Sequence, residues 1–123
     1  MFDSTFLRRM SNLFVTVTVC TCFLSATSGA AVVSPGASVT ITQSYAYTTF
    51  GGGDFVFSTS VGAHGCQSGW YVKSSDPGYK SVVAAVLTAQ AGGNYVQVYG
   101  DNSDLWVGST GQYCRLQTIG VTS

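Results

Sequence analysis

The side chains that could carry out catalysis are few and do not form a recognisable set. The sequence has one histidine, His64, and its five acidic residues are all aspartates. No Gly-x-Ser-x-Gly motif surrounds a serine, so a Ser-His-Asp triad built on His64 has no supporting context, and a histidine among glycines is typical of a loop. The carboxylate pair of a glycoside hydrolase would have to come from aspartates, of which Asp76 is better explained as a helix cap. We therefore expect a protein that is not an enzyme, with a small hydrolase depending on His64 as an alternative.

The abundance of tyrosine and tryptophan indicates binding instead. Sugars rest their C–H faces on aromatic rings and need polar neighbours for their hydroxyls. Trp106, close in sequence to Asp101, Asn102 and Asp104, is the best cluster of this kind, and these four are the candidate ligand-binding residues. The alternative is that Trp106 covers the edge of the core beneath a turn whose aspartates accept local backbone hydrogen bonds. Two carboxylates make a poor oxygen cage for calcium, so we expect neither a metal nor a cofactor.

Two cysteines, Cys66 and Cys114, follow the N-terminal segment and are expected to form a disulfide. The export signal described below places them in an oxidising compartment, where such a pair normally joins. The bridge would close a loop of about 48 residues, which stabilises the folded state by about 4 kcal/mol in the loop-entropy model. A metal site is the alternative, but only His64 lies near Cys66 and there is no second pair of ligands.

Residues 1–30 have the pattern of a secretory signal peptide. Two arginines precede an uncharged apolar run at residues 13–24, which is too short to span a bilayer but long enough for the hydrophobic region of a signal peptide. Small residues favour cleavage after Ala30, with Ala31 as the alternative. Neither cysteine of this run follows the pattern that lipid attachment needs. We expect a secreted or periplasmic protein with no membrane span after cleavage.

The remaining segment, residues 31–123, is long enough for a single small domain. Chains of this size bury only about 60–70% of the surface of the unfolded chain and often depend on a covalent crosslink. Its three basic and four acidic side chains nearly cancel. This balance argues against a nucleic-acid partner, which would require a basic stripe.

Alternation of large and small polar residues with a period of two predicts strands on both sides of a single helix. Three glycines, Gly51–Gly53, separate the first two strands as in a hairpin. Asp76 as N-cap, Pro77 in the first helical position and Gly92-Gly93 as the stop delimit the helix. The strands are predicted at residues 39–48, 55–61, 70–73, 94–99 and 114–121, with a turn at 100–104 and a brief extended piece at 105–107.

This order of three strands, a helix and two strands predicts a mainly β domain with one helix. It matches the oligonucleotide/oligosaccharide-binding (OB) fold, a small five-stranded barrel in which a helix between the third and fourth strands closes one end. An α+β sandwich with a different strand order fits the periodicity equally well.

The helix has two distinct faces. Apolar residues at helical spacing form a stripe that faces a core; they are Tyr79, Val82, Val83, Val86 and Leu87, with Gln90. The opposite face carries a single charge, Lys80, and small side chains that would let another backbone approach closely. We predict a subunit interface on this face, formed by Ser81, Ala84, Ala85 and Thr88. The alternative is a surface that is poor in charge because the whole chain is.

The chain resembles the B subunits of bacterial AB-type toxins, in the cholera and the subtilase/pertussis-like groups. The resemblance covers residues 37–121 and lies in the layout of Asp76-Pro77-Gly78-Tyr79-Lys80, an Ala/Val/Leu-rich helix, Val96-Gln97-Val98-Tyr99, Trp106 and a final strand led by Cys114. It implies a secreted OB-fold barrel that assembles in a ring of five, and it further implies glycan binding. None of that family's sugar-contacting residues can be matched to positions here.

The sequence therefore predicts a secreted, non-enzymatic binding module, exported from a bacterium as a glycan-binding subunit of a homo-oligomer. Several copies acting together would strengthen a site that is weak singly. The alternative is an exported inhibitor or interaction protein whose loops bind one protein partner.

Overall fold

The computed structural model describes residues 31–123 and contains six strands, one α-helix and a short 3-10 turn in this part of the chain. The predicted signal peptide, residues 1–30, lies outside the described residues. The elements are β1 (Val32–Val33), β2 (Ile41–Ala46), β3 (Phe55–Thr59), β4 (Gly69–Val72), α1 (Tyr79–Gly92), β5 (Tyr95–Leu105) and β6 (Tyr113–Thr122). The prediction of a mainly β domain with a helix after the third long strand is confirmed.

The six strands form one sheet in the order β1-β5-β6-β4-β3-β2. All neighbours are antiparallel except β4 and β6, which run parallel. The predicted five-stranded barrel is not confirmed, because there are six strands and the sheet that they form is not closed. The outer strands β1 and β2 are nevertheless consecutive in the chain, and Val39 between them exchanges backbone hydrogen bonds of 2.9 and 2.7 Å with Val96 of β5.

The main core lies between one face of the sheet and the helix. Along β3 and β4 alternate side chains point to this face, as the pleat requires, and α1 contacts β2 and β6. The disulfide is fully buried within the same core. The buried residues of the core are Val39, Ile41, Phe55, Phe57, Ala63, Cys66, Trp70, Val72, Val86, Ala89, Val96, Val98, Cys114 and Leu116.

A smaller apolar cluster covers the opposite face of the sheet. Val56 of β3 is paired with Tyr71 of β4, and both side chains point away from the main core because their neighbours along each strand point into it. Trp106, just after β5, packs on this pair, and the half-buried Tyr113 completes the cluster. All of β3 from Phe55 to Ser58 is therefore buried, so this part of the strand is covered on both faces.

The helix begins differently from the prediction. Gly78 is its N-cap and no side chain caps it, so the assignment of Asp76 as N-cap is wrong. The Asp76 carboxylate instead accepts a 2.9 Å hydrogen bond from the Lys73 backbone N–H and pairs with Arg115 of β6. A fixed guanidinium is a stronger partner for a carboxylate than a neutral helix N–H. At the other end the prediction is confirmed, because Gly93 is a left-handed C-cap with φ of 65°.

The predicted turn at residues 100–104 is part of β5. Pairing with β6 continues through Asp101 and resumes at Leu105, with register irregularities at Tyr99/Gly100 and between Asp101 and Leu105. The Asp101 carboxylate accepts hydrogen bonds from the backbone N–H and hydroxyl of Ser103, at 2.8 and 2.6 Å. The local aspartate bonding that suggested a turn is thus present, but it shapes a bulge inside a long strand.

Candidate functional site

A surface groove of about 330 Å³ lies over the smaller apolar cluster. The turn between β2 and β3, strand β4 with the residue that follows it, and the end of β5 all contribute to its wall. These segments meet because β3, β4 and the end of β5 approach one another on this face of the sheet. The lining residues are Phe50, Gly51, Asp54, Tyr71, Lys73, Asp104, Leu105, Trp106 and Val107.

Asp54 is a buried carboxylate at this groove. The residue is only 4% exposed, and its Oδ2 accepts a 3.0 Å hydrogen bond from the Trp106 indole N–H. Among residues 31–123, its Oδ1 is the one buried side-chain nitrogen or oxygen without a hydrogen-bond partner. A buried polar atom normally has a partner, since burial without one costs about 1–3 kcal/mol. Asp54 is therefore an acceptor that the protein itself leaves unused.

Of the three glycines before Asp54, Gly51 lies directly against its carboxylate. The 3-10 turn Phe50–Gly52 is followed by Gly53, and the three glycines have φ of 65°, 82° and 105°, values that residues with side chains rarely adopt. A Cβ on Gly51 would lie 2.0 Å from Oδ2 and 2.6 Å from Oδ1 of Asp54. Glycine at position 51 is thus required both by the backbone and by the carboxylate that it covers.

Aromatic rings surround Trp106. Phe50 meets the indole edge to face at 5.3 Å between ring centroids, Tyr47 lies at 5.0 Å and Tyr113 at 6.0 Å. Trp106 itself is 5% exposed, whereas Phe50 is 42% exposed. Trp106 therefore supports the site from beneath, and Phe50 is the ring that the groove offers to solvent.

A polar network fixes the other side of the groove. The Tyr71 hydroxyl donates a 2.5 Å hydrogen bond to Asp104 Oδ1, and Arg115 reaches both Asp104 and Asp76. The Arg115 guanidinium also lies 5.9 Å from the centre of the Tyr71 ring. Burial, followed by the bond to Asp104, raises the pKa of Tyr71 well above its usual value. Tyr71 therefore acts as a neutral donor that holds Asp104 in one orientation.

The structure brings together two of the four residues that the sequence proposed for ligand binding. Trp106 and Asp104 both line the groove. Asp101 and Asn102 do not; Asp101 is bonded to Ser103, and the Asn102 amide donates to the carbonyl of His64 at 3.3 Å. The burial of Trp106 agrees with the alternative interpretation, in which its ring covers the core edge.

Sequence reasoning missed Phe50 and Asp54. The available signal was a lone acidic residue between a run of three glycines and an apolar strand. At such a position the carboxylate points towards the sheet and not into solvent. Nothing in the periodicity shows that Trp106, 52 residues later in the chain, would donate to it. Only the tertiary structure joins the two.

The remaining predicted sites are placed as follows. The disulfide is confirmed, with Cys66 and Cys114 joined at a Cα–Cα distance of 5.4 Å. On the helix, Ser81, Ala84 and Thr88 are exposed and Ala85 is half-buried. Leu87, which the helical spacing placed in the core, is 48% exposed, so α1 presents an apolar side chain as well as small ones to solvent.

No group of three or more histidine, cysteine, aspartate or glutamate side chains within residues 31–123 is arranged to hold a metal ion. No helix in that same part of the chain combines the length and the apolar character that crossing a membrane requires.

Comparisons with protein-family models, with curated proteins and with solved structures found no match to this chain.

Proposed function

We propose that the protein is an exported, non-enzymatic binding module whose groove at Asp54 and Trp106 binds a glycan. The observation that carries the proposal is the combination, in one groove, of an exposed aromatic ring, a preset carboxylate and a buried acceptor with no partner. Pockets that bind small polar ligands have this composition, with an apolar wall and a few placed polar groups.

Each part of the groove has a role in this proposal. The ring of Phe50 offers a surface for the C–H face of a sugar. Asp104, held by Tyr71 and Arg115, accepts from hydroxyls without first having to be ordered, which lowers the entropic cost of binding. Asp54 accepts from a group that reaches the base of the groove.

The topology supports an OB-like barrel as the scaffold for this function. If β1 and β2 are counted as two halves of one strand, the domain has five strands with the helix between the third and fourth. That first strand pairs with β5 through β1 and Val39 and with β3 through β2, so it can close the sheet. In this proposal Val39 and Val96 are the closing pair, and we expect their amide hydrogens to exchange as slowly as those of β5 and β6. Exchange of both within seconds under native conditions would indicate an open sheet.

The glycan proposal is tested with the processed protein on a glycan array, followed by titration of any sugar that is retained. Phe50→Ala should weaken binding about tenfold, because stacking on an aromatic ring contributes on the order of 1 kcal/mol or more. Tyr95→Ala is the matched control, since Tyr95 is an exposed aromatic residue of β5 outside the groove. Retention of no sugar, or equal effects of the two variants, would reject this groove as a glycan site.

The proposed partner in assembly is a second copy of the chain, packed on the exposed face of α1. The small side chains Ser81, Ala84 and Thr88 and the exposed Leu87 support this proposal. Native mass spectrometry of the processed protein should show a homo-oligomer, and Ala84→Glu should shift it towards the monomer, because a charge would have to be buried. Thr118→Glu, on the exposed part of β6, should leave the mass unchanged. A wild-type protein that is strictly monomeric would contradict the assembly.

A further inference from the structure

We infer that the groove selects a ligand carrying a protonated amino group, which Asp54 receives at its Oδ1. This inference deepens the proposed function by naming the ligand chemistry as that of a basic amino sugar. It rests on the proposed function only in taking a sugar as the carrier of the amino group.

In the described part of the chain, the Asp54 carboxylate has no ion-pair partner, although the Lys73 side chain lines the same groove. The ion pairs there join Arg115 to Asp76 and Asp104, and none involves Asp54. Its single donor, the indole N–H of Trp106, is neutral. A buried carboxylate is stabilised best by a cation that also donates a hydrogen bond. An ammonium group supplies both the positive charge and the hydrogen-bond donor that Oδ1 lacks.

The walls of the groove also favour a cation. Phe50, Tyr71 and Trp106 line it together, and the faces of aromatic rings attract ammonium groups. The second carboxylate, Asp104, is already shared between Tyr71 and Arg115. A sugar hydroxyl could donate to Oδ1 but would leave the negative charge unbalanced, and the carboxylate of an acidic sugar would be repelled by it.

The glycine turn controls access to this acceptor. Oδ1 is buried beneath Gly51, so an amino group reaches it only when the turn shifts outward. The far end of the turn is anchored, because the Tyr79 hydroxyl donates to the carbonyl of Gly53 at 2.8 Å. The shift therefore falls on Gly51 and Gly52, which carry no side chains and have the conformational freedom that it requires, and it must give up the 3.0 Å hydrogen bond that the Gly52 N–H donates to the carbonyl of Thr49.

The test compares three probes that differ at one position: glucosamine, glucose and N-acetylglucosamine. Each is titrated into the ¹⁵N-labelled processed protein and followed by NMR. We expect glucosamine to shift the amide resonances of Gly51 and Gly52 and to bind at least tenfold more tightly than the two uncharged sugars. The amide of Gly93, the C-cap of α1, serves as an internal control and should not move.

Asp54→Asn keeps the shape of the side chain and an acceptor for Trp106, and should abolish the preference for glucosamine. Asp101→Asn is the matched control, because Asp101 is a carboxylate outside the groove, and should leave the preference unchanged. If Asp54→Asn fails to fold, the comparison of the three probes on the wild-type protein still tests whether the groove prefers a protonated amino group. Equal affinities for all three would overturn the inference.

Lys73 provides a second and independent readout. Its ammonium lines the groove and repels a cationic ligand, so Lys73→Ala should tighten glucosamine binding two- to threefold. Lys80→Ala, which removes an exposed lysine of α1 outside the groove, should have no effect. Weaker binding by Lys73→Ala would contradict a cationic ligand.

The two proposals can fail separately. Array binding of uncharged glycans that Phe50→Ala weakens, with no preference for glucosamine, would keep the glycan function and reject the amino group. Binding of glucosamine and of ethanolamine with equal affinity, lost in Asp54→Asn, together with an array that retains no glycan, would keep the ammonium site and reject the sugar as its carrier.

Discussion

The Tyr71 hydroxyl and the Asp104 carboxylate form the shortest contact of the candidate site that involves no full charge pair. The bond has two effects: it orients Asp104 towards the groove and it keeps the tyrosine protonated. A hydrogen bond to a charged group contributes about 1.5–3 kcal/mol, and the exposure of Asp104 places this one towards the lower end. The proposed ligand binding and the stability of the fold therefore depend on the same pair of atoms.

This pair predicts how stability varies at high pH. The folded-state pKa of Tyr71 is raised, first by burial and then by the bond to Asp104, above the value of about 10 of an unfolded chain. The stability that Tyr71 contributes is complete below that value and is lost as the pH rises towards the folded pKa. In urea titrations the free energy of unfolding should fall above pH of about 10 in the wild type and fall less in Tyr71→Phe.

Tyr71→Phe should itself be less stable at neutral pH by about 1–2 kcal/mol, because Asp104 Oδ1 loses its donor. Tyr99→Phe, in which an exposed tyrosine loses its hydroxyl, is the control for both measurements. Parallel alkaline curves for wild type and Tyr71→Phe would show that another group causes the loss.

Residue types alone predicted only part of the candidate site. Trp106 and Asp104 could be proposed from their composition and proximity in the sequence, because aromatic and carboxylate side chains side by side are typical of sugar sites. Asp54 could not, since its role comes from a contact with a residue far along the chain and from the glycine that covers it. Asp101 and Asn102 were included because they are close in sequence, but a bulged strand directs neighbouring side chains in different directions.

Among the elements, β4 depends on a close approach to β3 at its first residue. Gly69 has φ of 141°, and a Cβ there would lie 2.2 Å from the carbonyl oxygen of Phe57. The obstructing atom belongs to the backbone and cannot turn aside as a flexible side chain would. The two strands can therefore pair only if position 69 carries no side chain.

Gly69→Ala should destabilise the protein by about 3 kcal/mol or more, or prevent folding, because β3 and β4 must separate. Gly120→Ala on β6 is the matched control: a Cβ there meets nothing within 4 Å and its φ is not positive, so it should be neutral or slightly stabilising. Urea denaturation of both variants provides the comparison. Similar midpoints for the two would show that β4 relaxes away from Phe57 at little cost.

The elements themselves were largely predictable, and their arrangement was not. Alternation located the long strands and helical spacing located α1, since both patterns arise from local burial. The start of α1 was misplaced because Arg115, distant in sequence, takes the carboxylate of Asp76. The parallel pairing of β4 with β6 could not be predicted, since no local pattern specifies which strands become neighbours.

At the scale of the whole molecule, the disulfide joins the segment before β4 to the second residue of β6. It spans a sequence separation of 48 and lies in the main core. The loop-entropy model assigns it about 4 kcal/mol, a large share of the roughly 5–10 kcal/mol that a small domain possesses.

Cys66→Ala/Cys114→Ala should therefore lower the free energy of unfolding by about 4 kcal/mol, partly offset or increased by the change in core packing. Chemical reduction of the wild type separates the two contributions, because it opens the loop while keeping both sulfurs. Thermal unfolding followed by circular dichroism should show a lower midpoint in both cases. An unchanged midpoint after verified reduction would show that core packing alone holds β4 beside β6.

The parallel pairing of β4 and β6 also has a kinetic consequence. The crossover between them contains all of α1 and β5. In a chain without the disulfide, the two strands must therefore come together across this long intervening segment before any hydrogen bond between them can form. The disulfide between Cys66 and Cys114 keeps the two strands close together even in the unfolded chain, so this slow step is no longer needed. The oxidised chain should consequently regain its native state much faster after dilution from denaturant than the reduced chain, and molecules whose cysteines have not yet been oxidised would be the population most exposed to proteolysis and aggregation.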